Sequence, residues 1–111
     1  MKKQWTIWQA LPTPEECRQI VAPDGPGVYQ LRNRKTKELV LFGIGRECRK
    51  RMKSLFPAPY GSGKRNNFSK REYILKNWRD IDYRTWATDT REEANELEDG
   101  LKAKRNHIFN T

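Results

Sequence analysis

The chain has 111 residues, enough for one modest hydrophobic core and no more. It is 35% hydrophobic and 33% charged, with four Trp, four Tyr and four Phe, and so is not the aromatic-poor composition of a disordered chain. Its formal net charge is +9, from 23 Lys and Arg against 14 Asp and Glu, an excess that costs self-repulsion in a compact domain and matches a polyanionic partner.

In chain order, Trp5-Thr6-Ile7-Trp8 reads as a short strand or an apolar clamp at the edge of the fold. Thr13-Pro14-Glu15-Glu16 is a helix start, with Thr13 as N-cap, Pro14 at the first helical position and Glu16 closing a capping box. That helix should end by Val21, ahead of the turn-rich run Pro23 to Gly27. Val28 to Arg32 alternates and is rich in β-formers, Asn33 to Lys37 is a polar turn, and Leu39 to Phe42 is a second strand ended by Gly43 and Gly45. The two strands form an antiparallel hairpin. Glu47 to Phe56 should be a helix stopped by Pro57, and Pro59 to Lys64 a loop.

A second capping box, Ser69-Lys70-Arg71-Glu72, opens a helix presenting Tyr73, Ile74 and Trp78 at helical spacing. Ile81 to Trp86 alternates as a third strand. Thr90-Arg91-Glu92-Glu93 caps a last helix that runs to about Arg105, and His107 to Thr111 is a short tail that should dock. Neither repeats nor linkers interrupt this order. It predicts a single α+β domain over 1–111: a small three-stranded antiparallel sheet flanked by helices, with an N-terminal strand and helix as an extension.

Two cysteines (Cys17 and Cys48) and a single histidine (His107) are too few for a Cys/His zinc site. No segment reads as a signal peptide and no apolar run reaches membrane-spanning length, so a soluble cytoplasmic protein with free thiols is expected.

Pro26-Gly27-Val28-Tyr29 leading a hairpin, an apolar strand ending in glycine, and then a basic helix resemble the GIY-YIG nuclease superfamily. That superfamily includes the nuclease domain of bacterial excision-repair proteins, phage-type homing endonucleases and some restriction enzymes. Setting Arg49 to Phe56 on the family's basic helix puts the second motif's glycine on Gly43. Leu41 then stands where the family usually has its second tyrosine, and Ile44 where many members have lysine. Glu93 to Leu101 followed by His107-Ile108-Phe109-Asn110 is similar to the closing motif, a helix with a metal-binding glutamate and a short segment with asparagine. The resemblance covers the chain from about residue 25 to its end.

The resemblance implies a phosphodiester-hydrolysing site of Tyr29, Arg51, Glu98 and Asn110. Tyr29 would be the general base, a phenolate whose pKa a nearby metal or cation lowers; the alternative is an ordinary core aromatic on a strand. Arg51 would hold the scissile phosphate bidentately, as a guanidinium does better than an ammonium. Its basic surroundings also fit a solvated face or general backbone contact. Glu98 borders the apolar stripe Ala94, Leu97 and Leu101, where a carboxylate could ligate one Mg²⁺ (or Mn²⁺) whose other ligands are water. Otherwise it is one of six acids between Asp89 and Asp99 that favour the early part of a helix through its dipole.

Arg46, Arg49, Lys50, Lys53, Lys64, Arg65, Lys70 and Arg71 are the candidate nucleic-acid contacts, with DNA expected before RNA. Gly61-Ser62-Gly63-Lys64 lacks the spacing of a phosphate loop, and His107 is not assigned as a base. Three readings stand: a metal-dependent DNA endonuclease; a nucleic-acid-binding module of the same fold without turnover, which Leu41 and Ile44 favour; and a basic structural protein. Target choice would come from DNA structure, a homodimer or a protein partner.

Overall fold

The structure, a computed structural model, describes residues 4–12, 20–53 and 68–109. Its centre is the hairpin of β2 (Gly27–Asn33) and β3 (Leu39–Gly45), with β4 (Ile81–Ala87) antiparallel on the other side of β2. β1 (Gln9–Ala10) adds an antiparallel edge to β4, and β5 (His107–Phe109) lies parallel to β3. The order β1-β4-β2-β3-β5 makes a five-stranded mixed sheet. The α+β class is as expected, but the three antiparallel strands are only its middle. Each edge is covered by a short segment from near one end of the chain, which satisfies backbone groups otherwise left open to pairing.

The expected hairpin forms, and the chemistry of its turn is visible. Asn33 Oδ1 accepts from the amides of Lys35 (3.0 Å) and Thr36 (3.1 Å), and Lys37 adopts a left-handed φ of 68° that closes the return. Gly43 lies within β3 and does not end it, whereas Gly45 is the strand's last residue, as expected from sequence. Gly43 pairs with Tyr29, whose ring fills the space a side chain there would take, and Gly45 pairs with Gly27.

Alternation along β2 divides the interior in two. Tyr29 and Leu31 join Leu41, Tyr83, Cys48, Met52 and Ile74 on the side of α1 (Cys48–Lys53) and α2 (Phe68–Asn77). Val28 joins Phe42, Ile44, Ala94 and Leu101 on the side of α3 (Arg91–Lys104). β2 lies between both layers, which is why Gly27 to Leu31 is buried throughout. A single 3-10 turn at Trp78–Asp80, not foreseen from sequence, links α2 to β4.

The last helix begins as its capping box predicts, with Glu93 N donating to Thr90 Oγ1 at 3.2 Å. It ends with Arg105 in the left-handed conformation (φ 49°). Ser69 behaves differently: α2 already includes Phe68, so Ser69 lies within the helix and does not cap it. Of the two sequence options for Trp5 to Trp8, the clamp is observed. Arg84 lies 4.4 Å from the ring centre of Trp5 and 4.4 Å from that of Trp8. The helix expected from Thr13 and the loop from Pro59 to Lys64 lie outside the described residues. Among the described residues no helix is long and apolar enough to cross a membrane.

Candidate functional site

Tyr29 sits at the middle of the central strand, 4% exposed, its ring turned toward the α1 side. It can lie flat there only because Gly43 is opposite. A Cβ on Gly43 would meet the phenol hydroxyl and come within 2.8 Å of ring atom Cε1. Gly45 does the same for Arg51: a Cβ there would stand 3.0 Å from the Cβ of Arg51. The two strand glycines thus make the cradle in which a β2 tyrosine and an α1 arginine approach each other.

Arg51 follows from a tight connection. Cys48 N donates to Gly25 O (3.0 Å) and Arg49 N to Pro23 O (2.9 Å), tying the start of α1 to the turn before β2. Met52, fully buried, fixes the inner face, and the neighbouring Arg51 side chain reaches the Tyr29 hydroxyl, where it donates a hydrogen bond. Burial pushes the phenol up to about 12; Arg51 pulls the other way, and Cys48 and Glu98 add to the rise. At neutral pH Tyr29 is therefore a protonated phenol. The lowered pKa that the resemblance implies is outweighed by burial.

Glu98 comes from the opposite layer. On α3, Ala94 and Leu101 are buried and Leu97 packs beside them, so the carboxylate leaves the helix at the border of the stripe, its side chain 19% exposed. It pairs with Lys102, one turn on, at 3.6 Å, and its charge is felt by both Tyr29 and Lys70. Lys70, on α2, is half-buried; burial and Arg51 lower its pKa while Glu98 holds it up. Tyr29, Arg51, Glu98 and Lys70, from four different elements, form one electrostatic cluster.

The remaining sequence candidates distribute unevenly. Arg46 is exposed just before α1. Arg49 pairs with Asp24 at 2.6 Å and Lys50 with Glu47 at 3.8 Å, so part of the basic helix is internally balanced. Lys64, Arg65 and Asn110 lie outside the described residues, as do the side chains of Lys53 and Arg71. Leu41 is fully buried in the layer below Tyr29, and Ile44 is buried on the other face against α3. Neither position offers a polar group to the cluster.

A metal ion can be tested against these donors. No group of three or more His, Cys, Asp or Glu side chains gathers among the described residues. That does not fit an all-protein cage. One partly exposed carboxylate, Glu98, does fit a Mg²⁺ that keeps most of its waters and completes its shell with phosphate oxygens.

The sequence names Lys70 among the candidate nucleic-acid contacts without distinguishing it from the others, and its position one turn before the apolar Ile74 is the signal that sets it apart. Sequence reasoning missed a buried polar chain on the other face. Arg84 Nε donates to Gln30 Oε1 (2.7 Å), and Gln30 Nε2 lies 3.0 Å from His107 Nε2, with the His107 ring against Phe42. Comparison with family models, with curated proteins and with solved structures finds no match for this chain.

Proposed function

We propose that the chain is a metal-dependent DNA endonuclease of the GIY-YIG kind, hydrolysing phosphodiester bonds at Tyr29, Arg51 and Glu98. The observation that carries this reading is that Arg51 and Glu98, distant in sequence, both act electrostatically on the buried Tyr29 phenol in a protein of net charge +9.

The division of labour follows from the contacts. Arg51 binds the scissile phosphate and neutralises charge that develops on it. The Tyr29 hydroxyl accepts from Arg51 and keeps its own proton, so it orients water or phosphate at rest and acts as general base only after losing that proton. Glu98 holds the divalent ion, Mg²⁺ or Mn²⁺, which supplies positive charge at the phosphate. Arg46, Arg49, Lys50 and Lys70 contact the DNA backbone, and the sequence adds Lys53, Lys64, Arg65 and Arg71 as further basic candidates. Asn110 joins the site on the resemblance alone.

A second reading, a nucleic-acid-binding module of this fold without turnover, has two supports of its own. Leu41 and Ile44 are committed to packing, and the resting phenol is neutral. A supercoiled plasmid with Mg²⁺ or Mn²⁺ separates the two. The nuclease converts it to the relaxed form, and Glu98→Ala slows this by roughly 100-fold or more. Undiminished nicking by Glu98→Ala overturns the proposed roles. Salt-sensitive binding without cleavage of any DNA form assigns the chain to the second reading.

A further inference from the structure

The face of the sheet turned away from Tyr29 holds a second concentration of charge. Arg32 on β2 and Arg84 and Asp82 on β4 share that face with Val28 and Gln30. Alternation along β2 and direct pairing across the ladder, Gln30 with Arg84 and Arg32 with Asp82, keep them on one side. The residues before β1 lie over it. Arg84 stands 4.4 Å from the ring centres of both Trp5 and Trp8, and Arg32 stands 4.4 Å from that of Trp8. Two guanidiniums on one indole are close neighbours, and burial and Arg32 both lower the pKa of Arg84.

Stacking occupies the π face of a guanidinium and leaves its N–H groups, which lie in the plane, free to donate. Arg32 uses Nε and one terminal nitrogen on Asp82, which Arg34 also engages at 2.7 Å. Arg84 gives Nε to the neutral Gln30 at 2.7 Å. Among the described residues, neither terminal nitrogen of Arg84 nor the second one of Arg32 has an acceptor, and none of the three is sealed from solvent. Arg32 and Arg34 thus share one carboxylate and Arg84 has none, while half-buried rings hold the open donors in place. Cations fixed in this way meet a phosphate with little ordering left to do, and the guanidinium fork matches its oxygens. We propose that Arg84 and Arg32, stacked on Trp5 and Trp8, bind a backbone phosphate of DNA on the sheet face opposite the Tyr29 cluster. The proposal rests on DNA as the partner and is independent of turnover.

The test follows the four indole N–H resonances of the isotope-labelled full chain as a short DNA duplex is titrated in without divalent ion, across a salt series. Those of Trp5 and Trp8 should move. The midpoint of their movement should rise by about 10-fold in Arg84→Gln, with the salt slope at this site lower by about one. Arg84→Lys should keep the slope, because it keeps the charge, and lose part of the affinity with the fork. Lys76→Ala, exposed on α2 on the other side of the sheet, should leave the midpoint unchanged. Thermal unfolding checks each variant. Should Arg84→Gln unfold, Arg32→Gln, which leaves Asp82 paired with Arg34, takes its place. Resonances of Trp5 and Trp8 that stay still while the duplex binds overturn the proposal and leave the nuclease reading standing. So does a midpoint that Arg84→Gln leaves at the wild-type value, or that Lys76→Ala raises as much. Binding at Trp5 and Trp8 by a protein that nicks no DNA form keeps this contact and removes the nuclease, and a wild type that binds no DNA brings down both.

Discussion

Tyr29 combines two demands that oppose one another. Its ring is part of the core, and its hydroxyl belongs to the charged cluster. Burial wins the electrostatic contest and keeps the phenol protonated, with a pKa pushed up to about 12. If the phenolate is the working base, the nicking rate should climb roughly tenfold per pH unit from neutrality toward pH 9, and Tyr29→Phe should abolish that slope. A rate that is flat with pH over that range would take the base role away from Tyr29. Gly43 is the complementary case. Gly43→Ala puts a methyl group where the phenol lies, so it should lower stability by about 1–3 kcal/mol in urea unfolding and disturb Tyr29 at the same time. Both glycines were visible in the sequence, but their use was not. Glycine ending a strand and glycine admitting a ring across it look alike until the register Tyr29–Gly43 is known.

The elements were the most legible level. Alternation located β2 and β4, the apolar run Leu39 to Phe42 located most of β3, and capping chemistry located the start of α3, whose expected end at about Arg105 falls one residue from the observed one. The short edge strands were harder to read because two or three residues carry no periodicity. β5 was foreseen only as a tail that docks; its parallel pairing to β3 follows from long-range contacts. Part of its anchorage is His107. Arg84 occupies the Gln30 carbonyl oxygen, so the Gln30 amide group donates to His107 Nε2 and the imidazole must be neutral. Burial lowers its pKa, with Lys104 and Arg84 acting in the same direction.

Between the ordinary value of 6.5 and the lower folded value, the unfolded chain binds the proton and the folded one does not. The stabilisation is therefore complete above that ordinary value and is lost as pH falls through the folded one. Thermal unfolding at pH 7.5 and pH 5 should show a drop that His107→Gln reduces; an identical drop in the variant would exclude His107 as its source. At the other end of the same connection, Arg105 holds a left-handed backbone at the α3 C-cap. Arg105→Gly relieves it and should raise stability by about 0.5–1 kcal/mol without changing nicking.

On the scale of the molecule, charge and topology act together. The net charge of +9 should make DNA binding steeply salt-dependent, the affinity falling by orders of magnitude between low and moderate salt if several phosphates are contacted. The sheet brings a β2 tyrosine and an α1 arginine to one side, while α3 contributes Glu98 from the other layer. Motif order makes Tyr29, Arg51 and Glu98 legible in the sequence, whereas nothing in the sequence ties α2 to them until Ile74 shares a buried layer with Met52 and Tyr29. The central claim is that the first three act as a unit on a phosphodiester, and a double-mutant cycle on plasmid nicking tests it most directly. Tyr29→Phe and Glu98→Gln should each slow single-turnover nicking by about 100- to 1,000-fold, and the double variant should be hardly slower than either. Losses that multiply in the double variant, or a single variant that nicks at the wild-type rate, would contradict the account.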